Sequence, residues 1–307
     1  MSRQHRLLCA VDFSDLSRGA LHYALAIARR FHAPLTVLAV DDELLRTVAD
    51  SRMGEGWSRA ATERQLRAFV AAAAGGAAPA DATYEVAAGK PATAIFEVAI
   101  KTGSQLIVMG THGRSGLRKL LLGATAERVL RETTVPVLLV SADPGPLSFE
   151  DLARVASPML VPVDFSSASS KQVRVAGLLA KELHLRVLIG NVTEPIDLPV
   201  PEQIDRAEIM SERQRRACQG LQLIAVSGAM PVVPEILIAS GNPADEISKW
   251  ANANSVGLLV MALHGDAYGG ARLGSVTYRA ISKTGVLTLA LPPAWSPRAI
   301  ALDSRAE

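Results

Sequence analysis

Aromatic residues are scarce in this sequence, at 4% of 307 positions, and there are only two cysteines. Cys9 and Cys218 lie far apart and outside any C-x-x-C spacing. That excludes a disulfide framework and a cysteine-based zinc site, and it fits a reducing compartment, the cytoplasm. No run of about 18 apolar residues occurs, so neither a transmembrane helix nor a membrane partner is expected. The opening stretch MSRQHRLLCAVDFSD has an apolar run, but Asp12 ends it too early for the core of a signal peptide. An excess of positive charge is also missing. With 32 Lys and Arg against 30 Asp and Glu, the net charge is +2, and no basic face for nucleic acid is expected.

What is present is an Ala/Val/Leu-rich composition, 49% hydrophobic and 20% charged, typical of an α/β protein long enough for two domains. The chain repeats itself. LLCAVDFSDLS at 7–17 recurs as MLVPVDFSSAS at 159–169, an offset of 152. The same offset pairs FHAPLTVLAV at 31–40 with LHLRVLIGNV at 183–192, and GKPATAIFEVA at 89–99 with GNPADEISKWA at 241–251. It also pairs QLIVMGTHG at 105–113 with GLLVMALHG at 257–265. One offset over four segments indicates a tandem duplication. Between the copies, SADPGPLSFEDLARVAS reads as a linker, which gives domains at 1–148 and 149–307.

Each half alternates short Val/Ile/Leu-rich runs with helix-like stretches. In the first half, strands are predicted at 6–12, 34–40, 82–87, 105–110 and 136–140, with helices at 16–31, 57–74, 91–102 and 123–132. Near-continuous apolar strands joined by helices give a parallel sheet covered on both faces. The fold class is therefore α/β: two Rossmann-like, doubly wound, five-stranded domains in tandem. In such sheets ligands sit beyond the carboxyl ends of the strands, where the strand order reverses, which selects the loops after the first and fourth strands.

The second of these loops reads GTHGRSGLRKLLLGAT over 110–125. A glycine-rich strand end followed by a helix start presents free N–H groups and a positive dipole end to an anion, phosphate above all. Arg114, Arg118 and Lys119 lie between the glycines and either add charge to a ligand or are simply solvated. The spacing is G-x2-G-x9-G, which is neither the dinucleotide fingerprint nor the P-loop. With VDFSDLS, V-M-x-x-H-G and the closing VPVLLV, it resembles the universal stress protein family, in its tandem-domain form and over nearly the whole chain.

That resemblance implies a set of residues. Asp12 and Val40 would lie beside an adenine base, and Met109 ends the strand next to them. Gly110 and Gly113 would let the loop approach ribose and phosphates. Arg114 follows in that loop, and Gly123 would stand at the helix start. The family then expects Ser or Thr, but this chain has Ala124; Thr125, one place on, points about 100° away and substitutes poorly. In the second half Asp164, Val192, Gly265, Gly274 and Ser275 keep parts of the pattern. There Ala262 replaces the first glycine, the spacer is eight residues, and Asp266 puts a carboxylate where an anion would come, so this half is expected to be degenerate.

The resemblance also implies ATP as a non-covalent regulatory ligand at the first domain, with Mg²⁺ held by the phosphates. It suggests pairing of the two halves as an intramolecular pseudo-dimer, and it leaves room for a homodimer and an unidentified protein partner. The alternative is a nucleotide-free interaction module. No general base or arginine finger is visible, so at most slow ATP hydrolysis is expected. The residues have simpler readings too. Asp12, Ser14 or Asp15 would cap the helix beginning near Leu16, and Gly103, Gly241 and Gly257 would permit tight turns. His112 and His264 read as hydrogen-bonded loop residues, Cys9 as buried and inert.

Overall fold

The computed structural model describes residues 5–76, 81–112, 122–141, 157–195, 205–228, 230, 232–263, 275–293 and 295. The described residues fall into two compact units, 5–141 and 157–295. Among the described residues, no helix is long and apolar enough to cross a membrane.

The first unit has five strands, β1 (Leu7–Val11), β2 (Leu35–Asp41), β3 (Ala82–Ala88), β4 (Leu106–Gly110) and β5 (Val137–Val140). They are parallel and ordered β3-β2-β1-β4-β5. β1, LLCAV, is buried on both faces apart from Ala10, as an internal parallel strand must be. The helices are α1 (Asp15–Arg30), α2 (Glu43–Met53), α3 (Trp57–Ala73), α4 (Pro91–Thr102) and α5 (Ala124–Glu132). α1 packs on β1, β4 and α3, whereas α4 packs on β1 to β3 and on α5. The crossovers on the β3 and β5 sides thus cover opposite faces, and the reversal falls between β1 and β4.

α1 shows why the sequence folds this way locally. Ala20, Leu21, Ala24, Leu25 and Ile27 recur at helical spacing and are buried. Burying each of the two leucines stabilises the unit by about 1.5–3 kcal/mol. Ser14 caps the helix start, its side chain accepting the Ser17 N–H, and Arg29 and Arg30 sit at the negative end of the dipole.

The second unit repeats the plan with β6 (Met159–Pro162), α6 (Ser167–Leu183), β7 (Val187–Thr193), α7 (Arg206–Ser227), β8 (Glu235–Ser240), α8 (Pro243–Ala253), β9 (Leu258–Ala262), α9 (Ser275–Thr284) and β10 (Leu287–Leu291). Its strand order is β8-β7-β6-β9-β10. The duplication extends to backbone strain. Phe13 and Phe165 both take a left-handed φ, 65° and 60°, and so do His32 and His184, at 47° and 52°.

Two expectations from the sequence need correction. α2 falls where no helix was predicted: none of its residues is buried, so no apolar stripe marks it, and its clearest signal is the Asp42 cap on the Leu44 and Leu45 N–H groups. Gly257 is not the left-handed turn residue either. The duplicated partner of Gly103 (φ 63°) is Ser255 (φ 50°), while Gly257 leads into β9 with its N–H donating to Pro158.

Candidate functional site

The crevice of the first unit opens between β1 and β4. Their paired register runs to Cys9 opposite Val108, yet β1 continues to Val11 and β4 to Gly110. Beyond β4, Thr111 donates its N–H to Val140 at 2.9 Å, and its carbonyl accepts the Gly123 N–H at 2.8 Å. Thr111 and Gly123 are therefore held against each other where β4 ends and α5 begins. Gly123 is the cap residue of α5 and offers no side-chain hydrogen bond, so the first N–H groups of that helix, which have no intrahelical acceptor, get none from their cap residue. Ala124 is exposed and Thr125 half-buried. Gly113 and Arg114 lie outside the described residues.

At the β1 end, Asp12 Oδ1 accepts the Ser14 N–H at 3.1 Å and the Ser14 hydroxyl at 2.5 Å. Of the three capping candidates it is Ser14 that caps α1, and Asp12 holds Ser14 in place. This turn forces Phe13 into the left-handed region, where its ring meets Phe69 of α3 edge-on at 5.5 Å. Val40 is half-buried, and Met109, at 5% exposed, belongs to the core. Gly110 has a nearer reason to be glycine than a ligand: a Cβ there would come within 3.3 Å of both Leu16 and the His112 carbonyl. Cys9 is fully buried, and burial pushes its thiol far up, which keeps it protonated.

Two polar groups at this edge stand out only in three dimensions. Asp41, the last residue of β2, accepts the Thr62 hydroxyl of α3 at 2.8 Å through Oδ1, while its Oδ2 is buried with no partner. His112, two residues beyond β4, bonds the Thr111 hydroxyl through Nδ1 at 3.0 Å, and its Nε2 is likewise buried without a partner. In the order β2-β1-β4, these unpaired atoms flank Asp12 on both sides. The only hint of Asp41 in the sequence is an acid closing the apolar run LTVLAV.

The second unit is arranged differently. Asp164 Oδ1 accepts the Ser166 N–H and the Ser169 hydroxyl, each at 2.9 Å. Met159 and Val163 donate their N–H groups toward β7, so by strand alternation position 162 faces β9. Pro162 has no N–H to give. Gln172 of α6, at 3% exposed, supplies the missing donor: its Nε2 reaches the carbonyls of Val260 at 2.7 Å and Pro162 at 2.8 Å. Asn191 Nδ2 similarly binds the Val163 carbonyl at 2.8 Å. The first unit has Ala20 and Ala39 at these two positions. The buried amides of Gln172 and Asn191 are thus spent internally, whereas the Ser166 hydroxyl at the start of α6 is buried without a partner. Val192 is half-buried; Gly265, Gly274, His264 and the Ser275 side chain lie outside the described residues.

A cavity of about 960 Å³ lies away from this edge. Arg6, Gln105, Thr102 and Thr133 among its lining residues place it at the amino ends of β1 and β4, away from the crevice. There Arg6 donates to the Thr102 carbonyl at the end of α4.

Replacing Gln172 with Leu will leave buried carbonyls unpaired and lower stability by about 1–3 kcal/mol in denaturant titration. Adding Pro162→Ala, which restores the peptide N–H, will recover part of that loss. Burial lowers the His112 pKa below its usual value of 6.5. The group therefore contributes stability that is complete above about pH 6.5, its unfolded value, and is lost as pH falls through the depressed folded value. His112→Gln will flatten the pH dependence of the melting temperature across that window.

The sequence profile of the universal stress protein family matches residues 4–141 and again 157–290. Universal stress protein MJ0531 of Methanocaldococcus jannaschii is 32% identical over 158 residues, covering 44% of this chain and 81% of its own. Universal stress protein YxiE of Bacillus subtilis is 32% identical over 147 residues, covering 44% of this chain and 98% of its own. A solved universal stress protein from Archaeoglobus fulgidus DSM 4304 has a TM-score of 0.64 over 94% of this chain and 99% of its own, at 19% identity, a likeness of fold. With one profile match per repeat and together most of the sequence covered, the chain belongs to the universal stress protein family and carries the family's domain twice.

Proposed function

We propose that the first unit binds ATP non-covalently at the carboxyl edge of its sheet, and that the protein acts as a nucleotide-responsive regulator rather than as an enzyme. One observation carries this reading. Asp41 Oδ2 and His112 Nε2, two buried polar atoms without partners, stand on either side of Asp12. Buried groups of this kind are normally paired, and where they are not, a ligand or solvent completes them. The uncapped start of α5 adds N–H groups and a positive dipole end suited to phosphate. Among the described residues, no three His, Cys, Asp or Glu side chains converge as a metal cage. A Mg²⁺ would therefore arrive with the phosphates and be held by them and by water.

A second reading, an interaction module without nucleotide, draws on Ala124 and on the Gln172 and Asn191 amides that are spent within the second unit. Calorimetric titration of the whole chain with MgATP separates the two. On the ATP reading the wild type binds, and Ala124→Ser, which returns a hydroxyl to the first turn of α5, tightens binding by roughly three- to tenfold. No heat of binding for either protein would favour the module.

A further inference from the structure

Asp41 carries one of the two unpaired atoms at the edge of the first sheet. β2 is apolar from Leu35 to Val40 except for Thr36, then ends on a carboxylate. Thr62 takes one oxygen, Oδ1, and the buried Oδ2 meets no donor. An ionised carboxylate can only accept hydrogen bonds, so a ligand completing it must bring an N–H or O–H.

The register shows which part of a nucleotide comes here. Val11 pairs with Ala39, so Asp12 is level with Val40, and Asp41 lies one residue further toward the open edge. From β4, which leads to α5, to β2 is two strand spacings, roughly 10 Å. A nucleotide with its phosphates at the start of α5 thus spans β4 and β1 with its ribose and reaches β2 with its base. We propose that Asp41 Oδ2 accepts an N–H of the exocyclic amine of a 6-aminopurine, making Asp41 a specificity residue that favours adenine over 6-oxopurine nucleotides. A 6-oxo group at that place would set one acceptor against another. This rests on the nucleotide reading above. The feature is confined to the first unit: the corresponding residue of the second is Thr193, whose hydroxyl is engaged by the Ala239 carbonyl at 3.1 Å and by Ser240 at 2.9 Å.

The test is calorimetry on the full chain with MgATP, MgITP and MgdATP. ITP carries an oxo group in place of the amine, and with it a hydrogen on N1. The wild type will prefer ATP to ITP by at least about tenfold, as sites that hydrogen-bond a ligand donor reject analogues lacking it. It will bind dATP about as well as ATP. Asp41→Asn keeps an oxygen for Thr62 and turns amide hydrogens toward the ligand, so it will shrink the ATP preference to within about threefold. Equal affinity of the wild type for ATP and ITP would overturn the proposal without any variant. So would discrimination against dATP alone, which would assign the carboxylate to the ribose, or an ATP preference unchanged in Asp41→Asn. Failure of all three nucleotides to bind would overturn the nucleotide reading itself, and this inference with it.

Discussion

In each repeat, neighbouring parallel strands send their crossovers to opposite faces of the sheet, and the candidate site depends on that reversal. Parallel strands need long connections, and right-handed crossovers put the helices that follow β1 and β4 on different sides. Between the two strands the backbone is left open at its carboxyl edge. The paired register stops at Cys9 and Val108 while both strands run on, which is this opening seen residue by residue. Asp12 and its Ser14 turn start one helix there, and the Thr111–Gly123 hydrogen bond starts the other.

The two units show how one backbone can carry different chemistry. They share strand order and the same left-handed phenylalanine and histidine positions. At the crevice they diverge. The second unit has lost a backbone donor at Pro162, and Gln172 replaces it from the helix side, so two strand carbonyls are satisfied by one buried amide. The first unit keeps small residues, Ala20 and Ala39, at the positions of Gln172 and Asn191, and places a carboxylate, Asp41, where the second has Thr193. Buried polar groups are costly unless paired. In the first repeat a carboxylate oxygen and an imidazole nitrogen are left unpaired; in the second the amides are spent within the unit and the Ser166 hydroxyl is the unpaired group at the crevice among the described residues.

Much of the fold was legible in the sequence because parallel strands buried on both faces leave apolar runs that need no context to recognise. LLCAV and LTVLAV become β1 and the apolar part of β2. α2 was not legible, since an element that buries nothing has no periodic pattern to display. Position 255 escaped notice because a serine there adopts the left-handed turn that glycine occupies in the first copy. The places of Asp12 just beyond β1, Val40 near the end of β2 and Gly123 at the start of α5 were legible from spacing and resemblance. Asp41 could not be singled out, and His112, read as a hydrogen-bonded loop residue, gave no sign of its bare Nε2, because the absence of a partner under burial is a property of the packed structure.

The central claim, one working nucleotide site in the first unit beside a closed crevice in the second, is tested most directly by stoichiometry. The whole protein, saturated with MgATP and freed of excess, would be heat-denatured and the released adenine nucleotide measured by chromatography. The account predicts close to one nucleotide per chain. Two per chain would contradict the closed reading of the second crevice, and none would contradict the nucleotide site altogether.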